Sequence, residues 1–338
     1  MLVSLGKTEE ALPIWQQLIK VAPEKVDGYA NLGIGLLYLK RYREAVSSLE
    51  SAVKLSPDWA PLELSLGDAY LNTGDLDKSR LVFETAIKLD SNPVILNDVS
   101  YSLADRNTDL EKAKEYAEKA VRAEEEASEI VQLSGVQTSD LDHTSRLATF
   151  WDTLGWVYSR LNNLVSAEAY IKAAWTLNQS PVIGQHLGHL YEQQGKKVAA
   201  LHAYQLAYTA SPSRVVSYQP PRAPAFTKDA SDLEKDIRRL GGKLESMDLM
   251  GELNHARTFK MPRIVSGTAS AEFFVLIGPG DKVEAKFISG SDSLKGTQKI
   301  LESTNFNLKF PDDYPTRIVR RGIVGCYQYT GCNFVLIQ

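Results

Sequence analysis

Cysteine is almost missing from this 338-residue chain: there are two, Cys326 and Cys332, both near the end. So low a count excludes a disulfide framework spread over the sequence. A C-x5-C pair also lacks the further ligands of a zinc site, and the closest histidine in sequence, His255, lies far upstream. For the same want of a base, neither cysteine reads as a nucleophile. No apolar run approaches the ~18 residues of a membrane-spanning helix. The first residues hold Lys7, Glu9 and Glu10 and show no signal peptide. Excess positive charge is missing as well: the net charge is −4, which argues against binding dominated by nucleic-acid phosphates. Gly-rich phosphate loops, paired carboxylates and Ser-His-Asp arrangements are not recognisable. The hydrophobic (43%) and charged (24%) fractions are those of an ordinary globular protein, which excludes global disorder.

What is present is a repeat. Ala11, Ala45, Ser79 and Ala113 stand 34 apart, and Ala167 and Ala200 continue the series after one interruption. A second register runs through Ala52, Ala86, Ala120, Ala174 and Ala207, and a third through Leu32-Gly33, Leu66-Gly67, Leu154-Gly155 and Leu187-Gly188. Two antiparallel helices approach closely only where facing side chains are Gly, Ala or Ser. Larger residues then fill the spaces between hairpins: Tyr70, Tyr158 and Tyr191 on first helices, Trp15, Phe83 and Tyr204 on second helices. Pro23, Pro57 and Pro212 mark where second helices stop, and Gly74 and Gly195 fall in the turns between paired helices.

With those slots filled in register, residues 1 to about 213 resemble tetratricopeptide (TPR) repeats. The resemblance implies an all-α superhelix of helix-turn-helix units that binds a protein or peptide in a concave groove lined by first helices. It departs in the fourth repeat, where the Leu-Gly slot reads Ser100-Tyr101 and looser packing is expected. It departs again where the period stretches from 34 to 54, an insertion at about 121–145. The insertion holds Glu124, Glu125, Glu126 and Glu129, then Asp140 to Asp142. Its first part is expected to prolong a helix and the rest to form an acidic loop, with the charges on a solvated face or against a partner. The register also places residue 1 inside a first helix. The chain is therefore expected to be the downstream piece of a longer protein, or to open on a fraying half-repeat.

Pro220, Pro221 and Pro224 mark a connector. Leu233, Ile237, Leu240, Leu244 and Met247 then form an apolar stripe, to be packed on one of the domains or used in dimerisation. Beyond Arg263 the period turns strand-like: Ala271 to Ile277, a turn at Gly278-Pro279-Gly280-Asp281, then Val283, Ala285 and Phe287. A helix capped by Ser291 or Asp292 with Leu294, Thr297 and Leu301 on one face precedes a hairpin, Thr316–Tyr327 and Cys332–Ile337. A break in parity between Ile318 and Val324 suggests a bulge at Arg321-Gly322. The expected organisation is thus a repeat domain (1–213), a connector with an amphipathic helix (214–262) and a small α+β domain (263–338). The last resembles the C-terminal domain of TonB-type energy transducers, with GDKVEAKFISGSDSLKGTQKIL as second strand and helix. Repeats followed by such a tail look like the C-terminal half of bacterial envelope proteins that carry a transglutaminase-like domain upstream.

Cys326 and Cys332 can face each other across the hairpin as a disulfide, or remain reduced core thiols. His186, His189 and His202 cluster in the last repeat; with only Glu192 near them they read as surface or interhelical residues rather than a metal site. The family register places Tyr38, Asp68, Asn72, Asp98, Asp152, Trp156, Arg160, His189 and Gln193 along the exposed groove. Trp156 and Arg160 are one turn apart and of types enriched in binding hot spots, although Trp156 can equally pack on the next repeat. The partly acidic lining suggests a polar or basic partner segment. The expected function is a non-enzymatic interaction scaffold with no cofactor or metal, no nucleic-acid partner and no insertion into a membrane. The alternatives are the non-catalytic part of a larger envelope enzyme, or a transducer-like protein that adds a partner strand to its sheet edge. The location is extracytoplasmic, such as the periplasm, if the chain belongs to an exported protein, and cytoplasmic otherwise.

Overall fold

The computed structural model describes residues 8–211, 230–244, 249–280 and 282–337. The connector at 213–227, Pro212, Met247, Asp281 and residue 1, expected inside a first helix, lie outside them. The described residues fall into two compact units, one up to residue 120 and one from 121 onward.

In the first unit the helices are α1 (Thr8–Val21), α2 (Val26–Tyr38), α3 (Tyr42–Leu55), α4 (Ala60–Thr73), α5 (Leu76–Leu89), α6 (Pro93–Asp105) and the start of α7 (Leu110–Glu129). They pair as the 34-residue period requires. A side chain on Gly33 would collide with Leu49, and one on Gly67 with Phe83, so the Leu-Gly slots are points of close helix approach. Lys40, Gly74 and Asn107 occupy the left-handed turn slot that ends successive first helices. In the fourth repeat, the Ser100 hydroxyl donates to the carbonyl of Ala113 (2.7 Å) and is fully buried. The departure from Leu-Gly is a hydrogen-bonded contact rather than a loose one.

The second unit begins in α7 and continues through a 3-10 turn (Leu133–Gly135), α8 (Thr138–Arg160), α9 (Leu164–Leu177), α10 (Pro181–Gln193) and α11 (Lys197–Thr209). The expected acidic loop is mostly helix. Gln137 and Asp140 form a capping box, and α8 starts there, well before the repeat resumes. The glutamates are not all solvated either. Glu124 and Glu125 are 4% and 0% exposed. Glu124 accepts from Arg146 Nε (2.9 Å) and pairs with His143, both on α8. Glu125 accepts from Trp151 Nε1 (3.1 Å) and lies 3.1 Å from Arg122. Buried carboxylates persist only with such partners.

Helix α12 (Ala230–Arg239) places Leu233 and Ile237 on Ala200, Tyr204 and Ala207 of α11, the position of a further first helix. This packs the apolar stripe against the last repeat. The short α13 (Leu249–His255) packs Leu249 and Leu253 on Leu206. The remaining elements are β1 (Thr258–Met261), β2 (Ala269–Gly278), β3 (Lys282–Gly290), a 3-10 turn (Asp292–Thr297), α14 (Gln298–Glu302), β4 (Ile318–Tyr327) and β5 (Gly331–Leu336). The sheet is antiparallel, in the order β1-β5-β4-β2-β3. The four expected strands are joined by β1, which pairs Thr258 with Val335.

Both faces of this sheet are apolar near the start of β4, which accounts for the broken parity. Ile318 lies opposite Ile277 on one face, and Val319 opposite Leu276 on the other. The second face is covered by the insertion: Val131, Leu133 and Leu141 pack on Leu276 and Val319. Around this core, Thr144 donates to the Val319 carbonyl (2.9 Å) and the Arg317 amide to Ser128 Oγ (3.1 Å). The β2–β4 and β4–β5 registers run without a shift, so no bulge occurs at Arg321-Gly322. The irregularity lies between β2 and β3, where Glu272–Phe273 oppose Ser289 and Phe287 and Ile288 is the extra residue.

Candidate functional site

First helices of the repeat carry the residues expected to meet a partner. In the first unit these are Tyr38 on α2, Asp68 and Asn72 on α4, and Asp98 on α6, all half-buried. Asn72 is held by its amide to the Asp68 carbonyl, one turn back (2.7 Å). The Asp68 carboxyl is pushed up to about 7, first by burial and further by Asp98; a hydrogen bond from Ser102 and the charge of Arg106 oppose the rise. Burial likewise pushes Asp98 up to about 6, against a bond from Asn97. Ser102 was not singled out from sequence, yet the period finds it: it stands 34 residues after Asp68.

Beside this acidic floor runs a basic rim. Lys40 and Arg41 of the α2–α3 turn and Tyr42, Arg43 and Glu44 at the start of α3 line, with Asn72 and Thr73, an open cavity of about 360 Å³. Arg41 is already engaged by both carboxylate oxygens of Glu44 (2.7 Å each). The Arg106 guanidinium lies 5.9 Å from the Tyr42 ring centre. The surface therefore offers acceptors in its floor and donors at its edge.

The second unit treats the same register differently. Asp152 and Trp156, expected to be exposed, are 5% and 4% exposed. The reason lies in the spacing: residues 34 apart meet across adjacent repeats. Asp152 Oδ2 sits 2.9 Å from His186 Nδ1, and Ser159 donates to Gln193 (2.8 Å). The Trp156 ring stacks on His186 at 4.4 Å and 9°, with Arg160 5.3 Å from its centre. His189 is half-buried and 3.0 Å from the Tyr204 hydroxyl. Glu192 is held down to about 2, first by hydrogen bonds from Arg239 of α12. Of the expected groove residues in this unit, Gln193 alone is exposed.

His202 faces Glu252 (2.9 Å), so the three clustered histidines go to three different partners. Among the described residues no group of three His, Cys, Asp or Glu is arranged to hold a metal ion. No described helix is long and apolar enough to cross a membrane. Cys326 and Cys332 are directly opposed in the β4–β5 ladder, with Cα atoms 4.0 Å apart, and form a disulfide buried to 1% and 3% exposure.

Residues 2–58 and 30–93 match the tetratricopeptide repeat family. Over those residues the helix pairs follow that family's repeat. The Hsp70-Hsp90 organizing protein of Triticum aestivum is 34% identical over 87 residues, 26% of this chain. The match spans only 15% of that relative's length. A tetratricopeptide repeat protein of Parabacteroides merdae shares the fold over 71% of this chain and 80% of its own, at 9% identity and a TM-score of 0.51. A thermophilic TPR protein of Thermus thermophilus aligns over 64% of this chain and 98% of its own, at 23% identity and a TM-score of 0.46. The fold is a mostly helical, TPR-like repeat array followed by a small antiparallel sheet.

Proposed function

We propose that the chain is a non-enzymatic interaction scaffold whose first unit holds a partner peptide along α2, α4 and α6. The observation that carries this reading is the Asp68–Asp98 pair: two half-buried carboxylates on neighbouring first helices, each raised mainly by burial. A lysine or arginine of a partner placed between them would favour both ionised forms and gain from doing so. Substituting both, Asp68→Asn with Asp98→Asn, keeps shape and removes charge. Partner recovery on the purified, folded variant should fall at least tenfold. Recovery equal to that of the wild type would defeat the assignment.

A second reading, an extracytoplasmic binding module of a bacterial envelope protein, draws support from the Cys326–Cys332 bond. Both sulfurs are buried in a strand pair, and such bonds form and persist in oxidising compartments. Thiol labelling of the chain denatured directly from its source cells should leave both cysteines unmodified until a reductant is added. Immediate labelling would remove the support.

A further inference from the structure

The connection from Ser303 to Arg317 joins α14 to β4 without helix or strand, a length at which loops usually have a task of their own. Its ends are anchored in the sheet module. Phe306 is buried between Phe259 (4.8 Å) and Phe334 (5.8 Å), and Thr316 is 1% exposed. Its middle leaves the sheet and lies on the helices of the second unit. Phe310 meets Trp151 of α8 edge-on at 6.4 Å. Asp312 Oδ2 accepts from the Tyr170 hydroxyl of α9 (2.9 Å), while Oδ1 accepts from the Tyr314 amide (3.0 Å). The second bond closes an Asx turn, with Pro311 and Pro315 beside it. Arg122 of α7 stacks its guanidinium 3.7 Å from the Tyr314 ring centre and 3.9 Å from Asp312.

These are the parts of a recognition site: an arginine and a tyrosine hydroxyl for one carboxylate, and faces for two aromatic rings. The occupant is a short acidic turn with aromatics two residues to either side. We propose that Arg122, Trp151 and Tyr170 form a binding site for such acidic, aromatic-flanked turns, and that residues 310–314 occupy it in cis as a displaceable ligand. A protein partner carrying the same turn competes for the site, and release of the cis segment opens it. The contact is suited to exchange. It rests on side-chain bonds at the turn, whereas Phe306 and Thr316 keep the ends attached. Its bound state also places Asp312 beside buried Glu125, whose carboxyl is raised by burial and next by that like charge.

A tethered segment acts at an effective concentration on the order of millimolar, so a free peptide must overcome that advantage. The test uses a fluorescein-labelled peptide of residues 306–316 and the full chain. Phe310→Ala with Asp312→Ala empties the site, and this variant should bind the peptide at least tenfold more tightly than the wild type. A peptide carrying Asp312→Ala, or a chain that also carries Arg122→Ala, should lose that gain. No binding above the mutant peptide, in a variant with wild-type circular dichroism and a cooperative melt, would overturn the proposal. Hydrogen exchange on the wild type decides the matter if the variants do not fold. An excess of the free peptide of residues 306–316 should speed exchange of the Tyr314 amide, which Asp312 holds in the cis contact, at least tenfold. Equal protection with and without the peptide would mean a fixed structural loop.

Discussion

Two pairs of acids lie in the two units, and they are satisfied in opposite ways. Glu124 and Glu125 are more deeply buried, yet α7 and α8 bring them Arg146, His143, Arg122 and the Trp151 indole. Asp68 and Asp98 remain half-open, receive single neutral donors in Ser102 and Asn97, and are held well above the usual carboxylate range. An acid whose cations come from its own chain holds a fold together. One left half-open with mainly neutral donors is where we propose that a cation from outside binds.

The largest test of that contrast is Glu124→Ala. It leaves Arg146 and His143 facing a buried gap, and because Arg146 is itself about a third exposed, the loss should be about 2–3 kcal/mol of unfolding free energy. Urea denaturation reads it directly. A change below about 0.5 kcal/mol would mean the pair is no more structural than a surface ion pair.

A smaller effect should come from pH, and its sign is opposite to ordinary acid denaturation. Asp68 and Asp98 titrate in the folded chain near 7 and 6, above their unfolded values. Their contribution is full below the unfolded carboxylate range and is lost as pH rises through 6 and 7. Glu168 and Glu192, held down to about 2, contribute above their unfolded range and lose that contribution only as pH falls toward 2. Between pH 5 and 8 the melting temperature of the wild type should therefore fall relative to that of the chain with Asp68→Asn and Asp98→Asn. Parallel curves would show that the two aspartates are ordinary solvated acids.

The repeat was legible because its signal is local and periodic: each glycine of the Leu-Gly register answers one side chain of the next helix. The strands of the C-terminal module were legible by alternation. What could not be read was set by distant partners. A run of glutamates looks solvated until Arg146 arrives 22 residues later. The adjacent Ile318 and Val319 look like a register fault until the insertion covers the second sheet face. The four-residue β1 alternates, but Thr258 to Met261 is too short a run to stand out as a strand without β5 to pair with it. At the site, the period identified Asp68 and Asp98 correctly as first-helix residues. It did not reveal that the same period lets Asp152 reach His186 and Trp156 stack on that imidazole, closing the surface they were expected to line.

The insertion's docking also has a consequence for how the chain is made. Thr144 and its acceptor on Val319 are 175 residues apart. At ribosomal speeds of ~5–20 residues per second, on the order of ten to thirty seconds separate their synthesis. Through that interval the helices around Val131, Leu133 and Leu141 emerge with their greasy side uncovered, waiting for strands not yet translated. A message truncated before those strands would leave that apolar patch without the cover it has in the finished chain.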